Sequence, residues 1–225
     1  MIMELEELKN RWNEFDNKLE KSLQLNKQQL NKINLDKAKN KLRTLLIYKL
    51  LEMGVLVYVI YYLVNFTIKN IDSTQFSISA LILIFFGVMG YISDIRQISV
   101  IIRLRTDKAD DITSKQKNLT TLKLLIVNYV KWALLSIPFF PVWIVLIPKI
   151  FLNFDIYSSS MNLWWWMNIG LGILFIPFVL WIFRQLSKKN INLFWVKNLL
   201  DGSGWSLVTD AENFLNEIEK FGKEL

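Results

Sequence analysis

Cysteine and histidine are both absent from this chain of 225 residues. Without cysteine there is no disulfide and no thiolate nucleophile, and without histidine there is no imidazole base. The usual zinc and haem ligands go with them, so no metal or cofactor is expected. A third absence lies at the start: residues 1–44 hold no apolar run, so no cleaved signal peptide is expected.

What the chain has in quantity is apolar residues, 52% of the total, with nine Trp and fifteen Phe. They are bunched into runs rather than spread at helical or strand periods, which is the pattern of a membrane protein. A helix crossing about 30 Å of hydrocarbon needs roughly 20 mostly apolar residues. Four stretches qualify: Leu46 to Phe66, Phe76 to Ile92, Trp132 to Phe151 and Leu163 to Phe183. The sequence therefore predicts an all-α, polytopic membrane protein with four transmembrane helices. Its parts would be an N-terminal amphipathic segment (1–44), a four-helix membrane domain (45–183) and an amphipathic C-terminal tail (184–225).

Orientation follows from the basic residues, which cytoplasmic loops retain. Lys37, Lys39, Lys41 and Arg43 precede the first span, and Arg96, Arg103, Arg105, Lys108, Lys115, Lys117 and Lys123 lie between the second and the third. Arg184, Lys188, Lys189 and Lys197 follow the fourth, whereas the opposite side has only Lys69 and, at the outer end of the third span, Lys149. Both termini are thus expected in the cytoplasm, with the spans in a bacterial inner membrane. Trp164, Trp165, Trp166 and Trp181 read as interfacial anchors at the two ends of the fourth span.

Charges at membrane depth are candidates for function. Lys49 and Glu52 lie in the first span, one helical turn apart, and are able to pair. Asp94 and Arg96 lie below the second, and Asn128 and Lys131 at the entrance to the third. All six lie near a proposed inner end, where snorkelling to the interface accounts for them without an ion path. Pro138, Pro141 and Pro148 interrupt the third span, and Gly170 and Gly172 loosen the fourth. The first two spans carry no matching proline, so the paired discontinuous helices of a transporter are not evident.

The tails carry the other signals. Leu5, Leu8, Trp12, Phe15 and Leu19 fall at heptad spacings, the stripe of a helix that packs on another helix. The stripe resumes out of phase at Leu23, Leu30 and Ile33, predicting a long helix with a phase slip. Trp12 and Phe15 are bulky for a two-stranded seam and suit a groove better, either in another protein or in the chain's own tail. Residues 1–22 are net acidic and residues 23–44 net basic, so an anionic membrane surface attracts only the second zone. At the other end, "TDAENFLNEIEKF" opens with a capping box, Thr209 and Glu212. It sets Phe214, Leu215 and Ile218 along one face. The two acidic helices either pack together or receive a partner.

The start "ELEELKNRWNEFDNKLEKSLQLN", the apolar spans and the ending "SLVTDAENFLNEIEKF" together resemble small bacterial inner-membrane proteins encoded beside extracytoplasmic-function sigma factors. The resemblance covers about sixty residues, chiefly the tails. It implies a regulator of the sigma factor, either anti-sigma-like or a co-regulator. The chain lacks the His and Cys ligands of the zinc-containing anti-sigma domain, so no zinc mechanism is carried over.

Two readings follow. One is a membrane interaction protein whose cytoplasmic helices bind a soluble partner, a sigma factor being the candidate, through Leu5, Leu8, Trp12, Phe15 and Leu19 and through Phe214, Leu215 and Ile218. The other is a small transporter, channel or accessory subunit with Lys49, Glu52 and Lys131 near its lumen. An enzyme is not expected, since Asp107, Asp110 and Asp111 read as a solvated loop. Direct nucleic-acid binding is not expected either, and homo-oligomers remain open.

Overall fold

The structure, a computed structural model, describes residues 2–106, 112–154, 162–186, 190 and 193–223. Among them every regular element is helical. The first proline of the chain is Pro138 and the first glycine Gly54, so the first fifty-three residues hold no helix breaker. Accordingly α1 runs unbroken from Ile2 to Lys69, about 100 Å at the α-helical rise. The boundary expected at residue 44 falls inside this one helix.

A tight turn at Asn70–Ser73 reverses the chain, with the Ser77 hydroxyl donating to the Asn70 carbonyl at 2.9 Å. Helix α2 (Thr74–Thr106) then returns along α1, and α3 (Ile112–Leu135) returns along α2. The expected third span is not one helix. After Ser136 a short 3₁₀ turn at Ile137–Phe139 intervenes before α4 (Phe140–Leu152). Pro138 and Pro141 supply no amide donors to an α-helical ladder, and both sit where the following turn begins anyway. Helix α5 (Asn162–Gln185) packs on this 3₁₀ turn and on α3 and α4. Gly172 permits the contact, because a β-carbon there would lie 2.6 Å from the Pro138 carbonyl oxygen. Two shorter helices, α6 (Phe194–Asp201) and α7 (Trp205–Lys223), complete the chain.

Four helical segments are long and apolar enough to cross a membrane: Lys9–Lys69, Thr74–Thr106, Ser114–Leu152 and Trp166–Gln185. Their apolar windows are between 11 and 28% buried within the chain, so most of their surface faces outward, as lipid permits and water does not.

The core has two parts. At one end Leu63, Phe76, Ala80, Leu83, Val145 and Leu146 join α1, α2 and α4. At the other, Leu42, Leu45, Ile101, Leu119, Leu122 and Ile126 join α1, α2 and α3 and receive Val208, Ala211 and Leu215 from α7. Helix α7 begins at Trp205, one turn before the expected start at Thr209. Gly204, at φ 93°, makes the turn, and a β-carbon there would meet Leu45 Cδ1 at 2.3 Å. Thr209 therefore lies inside the helix, its hydroxyl buried without a partner. The expected capping box does not form, and Glu212 pairs with Lys123 instead.

Candidate functional site

The two acidic amphipathic helices meet different fates. Helix α7 turns its apolar face inward onto α1 and α3. Leu215 is buried there, with Phe214 and Ile218 packed against the same core. Polar contacts surround the seam: Asn34 Nδ2 donates to Glu217 at 3.1 Å, Lys41 pairs with Asp210 at 2.8 Å, and the Lys37 ammonium lies 5.5 Å from the Phe214 ring centre. The acidic face of α7 has thus met the basic zone of α1. Phe214, Leu215 and Ile218, read from sequence as partner-binding, contact the chain's own bundle.

Among the described residues the N-terminal half of α1 has no such cover. Asn34 is its first buried residue among those described. Trp12, Phe15 and Leu19 are 65%, 61% and 51% exposed, and Leu23, Leu30 and Ile33 are comparable. The side chains of Leu5 and Leu8 lie outside the described residues. Residues 2–33 form a helical rod about 48 Å long, with ion pairs Arg11–Glu7 (3.1 Å) and Lys18–Glu14 (2.7 Å) along its flank. Each places the acid four residues ahead of the base, the favourable order on a helix.

The unbroken helix accounts for the slip of phase. Leu30 follows Trp12 by eighteen residues and Ile33 follows Phe15 by the same interval, which is about five turns at 3.6 residues per turn. The stripe has the period of a straight α-helix rather than of a supercoiled heptad.

A second group lies where α1, α2 and α3 meet. Lys49, which sequence reading would let snorkel to water, is buried with its side chain only 3% exposed. It sits on the α1 face that also holds Leu42 and Leu45, so its stem points between helices. Its ammonium donates to Glu52 Oε2 at 2.7 Å and to Asp94 Oδ1 at 3.0 Å, and it lies 4.1 Å from the centre of the Tyr129 ring. The Tyr129 hydroxyl donates to Glu52 Oε1. Asp94 is fully buried, as is Gln97 one turn on, and Asp94 Oδ2 and Gln97 Oε1 have no hydrogen-bond partner among the described residues. Lys131 is not part of this group; it lies over the Phe183 ring at 4.9 Å. Arg96 and Asn128 are exposed. Asp107, Asp110 and Asp111, and the side chains of Trp164 and Trp165, lie outside the described residues.

Sequence reading paired Lys49 with Glu52 by their spacing but missed Tyr129 and the link to Asp94. The only signal was depth: each lies beside the proposed inner end of a span. Beyond Tyr129 the space between α1, α2 and α3 is a cavity of about 200 Å³ lined by Leu56, Val59, Leu83, Phe86 and Trp132 among others. Among the described residues that line it, none is charged. A larger apolar crevice, about 680 Å³, separates α2 from α5.

Comparison with protein-family models, with curated proteins and with solved structures gives no match for this chain.

Proposed function

We propose that this chain is a membrane-anchored interaction protein whose contact element is the projecting N-terminal rod. The observation that carries the reading is the exposed stripe Trp12, Phe15, Leu19, Leu23, Leu30 and Ile33 on a helix whose first buried residue, among those described, is Asn34. Scattered exposed apolar residues are ordinary, but an ordered stripe along one helix face is the form recognised by another helix or a groove. Large aromatic residues near the centre of such a face supply most of the binding energy where they are covered.

The basic loops favour a bacterial inner membrane with both termini in the cytoplasm. The partner would then meet the rod in the cytoplasm, and the net acidic charge of residues 1–22 suits a partner with a basic surface, for which a sigma factor is the candidate. The bundle formed by α7 on α1 serves as the base that holds the rod away from the membrane. In that arrangement the chain is a regulator by sequestration and carries out no reaction of its own.

A photo-reactive residue replacing Trp12 in the full-length chain is expected to give one discrete adduct in cells, and the same residue at Asn17, on the opposite face, none. Absence of any adduct at position 12 sinks the reading. The transport reading draws on the buried Lys49–Asp94 pair. Flux in reconstituted vesicles that falls on Lys49→Ala would favour it. The apolar lining beyond Tyr129 weighs against it.

A further inference from the structure

The exposed stripe does not end with the rod. Eighteen residues beyond Leu30 stands Tyr48, beyond Ile33 stands Leu51, and Val55 and Tyr62 lie eighteen residues beyond Lys37 and Thr44. At 3.6 residues per turn these positions share one side of α1 with the rod stripe. Tyr48, Leu51, Val55 and Tyr62 are all between 43 and 63% exposed. One side of a single straight helix is therefore open through both the aqueous rod and the membrane span. The basic positions between the two parts, Lys37 and Lys41, are engaged by Phe214 and Asp210 of α7.

A soluble partner covers only the first part of such a face, and lipid only the second. A second copy of the same chain covers both, because insertion in one membrane holds the two α1 helices parallel and in register. The flanking charges fit that arrangement. In a parallel pair a residue on one edge of the stripe meets the residue five further along on the opposite edge of its partner. Arg11 and Asp16 stand in that relation, and in sequence Glu4 and Lys9 repeat it with the signs reversed. Asn26, the polar position in the stripe, would face its own copy and fix the register, a role that buried asparagine has in parallel two-stranded helices.

We propose that the occupant of this face is a second copy of this chain, docked in parallel through α1 to form a two-fold dimer. The proposal rests on the interaction reading above, that the stripe is a contact face, and differs from it in the occupant: a second copy takes the place of a soluble basic partner. Trp12 and Phe15 are bulky for a closely wound two-stranded seam, but along a straight stripe the two helices need not wind together, and the paired tryptophans at position 12 pack offset against each other.

The chain has no cysteine, so single cysteines report cleanly. Full-length Leu19→Cys and Val55→Cys, oxidised in native membranes, are expected to give disulfide-linked homodimers several-fold more abundantly than Asn17→Cys and Val57→Cys, which lie on other sides of α1. Equal yields at all four positions overturn the dimer as random collision. Absence of a homodimer while the Leu19→Cys thiol is shielded from a water-soluble maleimide overturns the second copy as occupant but leaves a different partner on the rod. Absence of a homodimer with that thiol fully reactive overturns both the dimer and the interaction reading.

Discussion

The two ends of this chain carry helices of the same kind, acidic and amphipathic, yet one is packed and the other is not. Helix α7 follows a glycine turn that folds it back, and its face Val208, Ala211 and Leu215 closes on Leu42, Leu45 and Leu122. The rod at the start of α1 has no turn between itself and the first span, so it is carried away from the bundle by its own continuity. Amphipathicity alone thus does not make a helix a docking element. The connection decides whether the apolar face finds the chain's own core, and here the absence of any breaker before Gly54 is what leaves the rod open.

That contrast makes graded predictions. The largest effect is expected at the ion cluster between α1, α2 and α3. Lys49→Met leaves Asp94 buried without its counter-ion and should destabilise the folded chain by about 3–5 kcal/mol. Pairing it with Asp94→Leu should recover most of that loss. Thermal melts in detergent read both, and a double variant no better than the single would show that Lys49 acts through something other than Asp94.

Leu215→Ala, in the core beneath α7, is expected to cost about 2–5 kcal/mol. Protease release of the C-terminal helix at lower temperature measures it. Gly204→Ala forces a β-carbon onto Leu45 and strains a positive φ, for roughly 1–3 kcal/mol. Its signature is loss of α7 docking with the membrane spans intact. Near-normal protection of α7 in this variant would mean that the turn does not set its position.

Lys41→Ala removes a half-exposed pair with Asp210 and should cost no more than about 1 kcal/mol, less in high salt. At the far end of the scale, Leu19→Ala should change the stability of the isolated monomer by within about 0.5 kcal/mol while abolishing cross-linking through the rod. A large loss of monomer stability would break the comparison, because it would mean that the rod face is covered by its own chain.

Much of the fold was legible in the residues. The apolar runs marked four segments of spanning length, and the i, i+3 spacing of Lys49 and Glu52 anticipated their 2.7 Å pair. Other features depended on contacts that no local pattern records. Asp94 lies 45 residues from Lys49, and Tyr129 lies 77 from Glu52, so only the packing of α1, α2 and α3 brings them together. Thr209 and Glu212 had the spacing of a capping box. The turn nevertheless formed at Gly204, where the missing side chain lets α7 approach Leu45. The heptad with a slip was correct as a count and incomplete as a shape, because a continuous helix turns the same residues into one straight stripe.

Composition and apolar patterning were enough to establish helices of membrane length, since those properties belong to single segments and to their cost of transfer from water. Which amphipathic face stays open, and which buried charge finds a partner, were decided by tertiary structure. Both depend on where distant segments of chain are brought into contact, and the low cost of exposing a helix face in one place is set by the cover available in another.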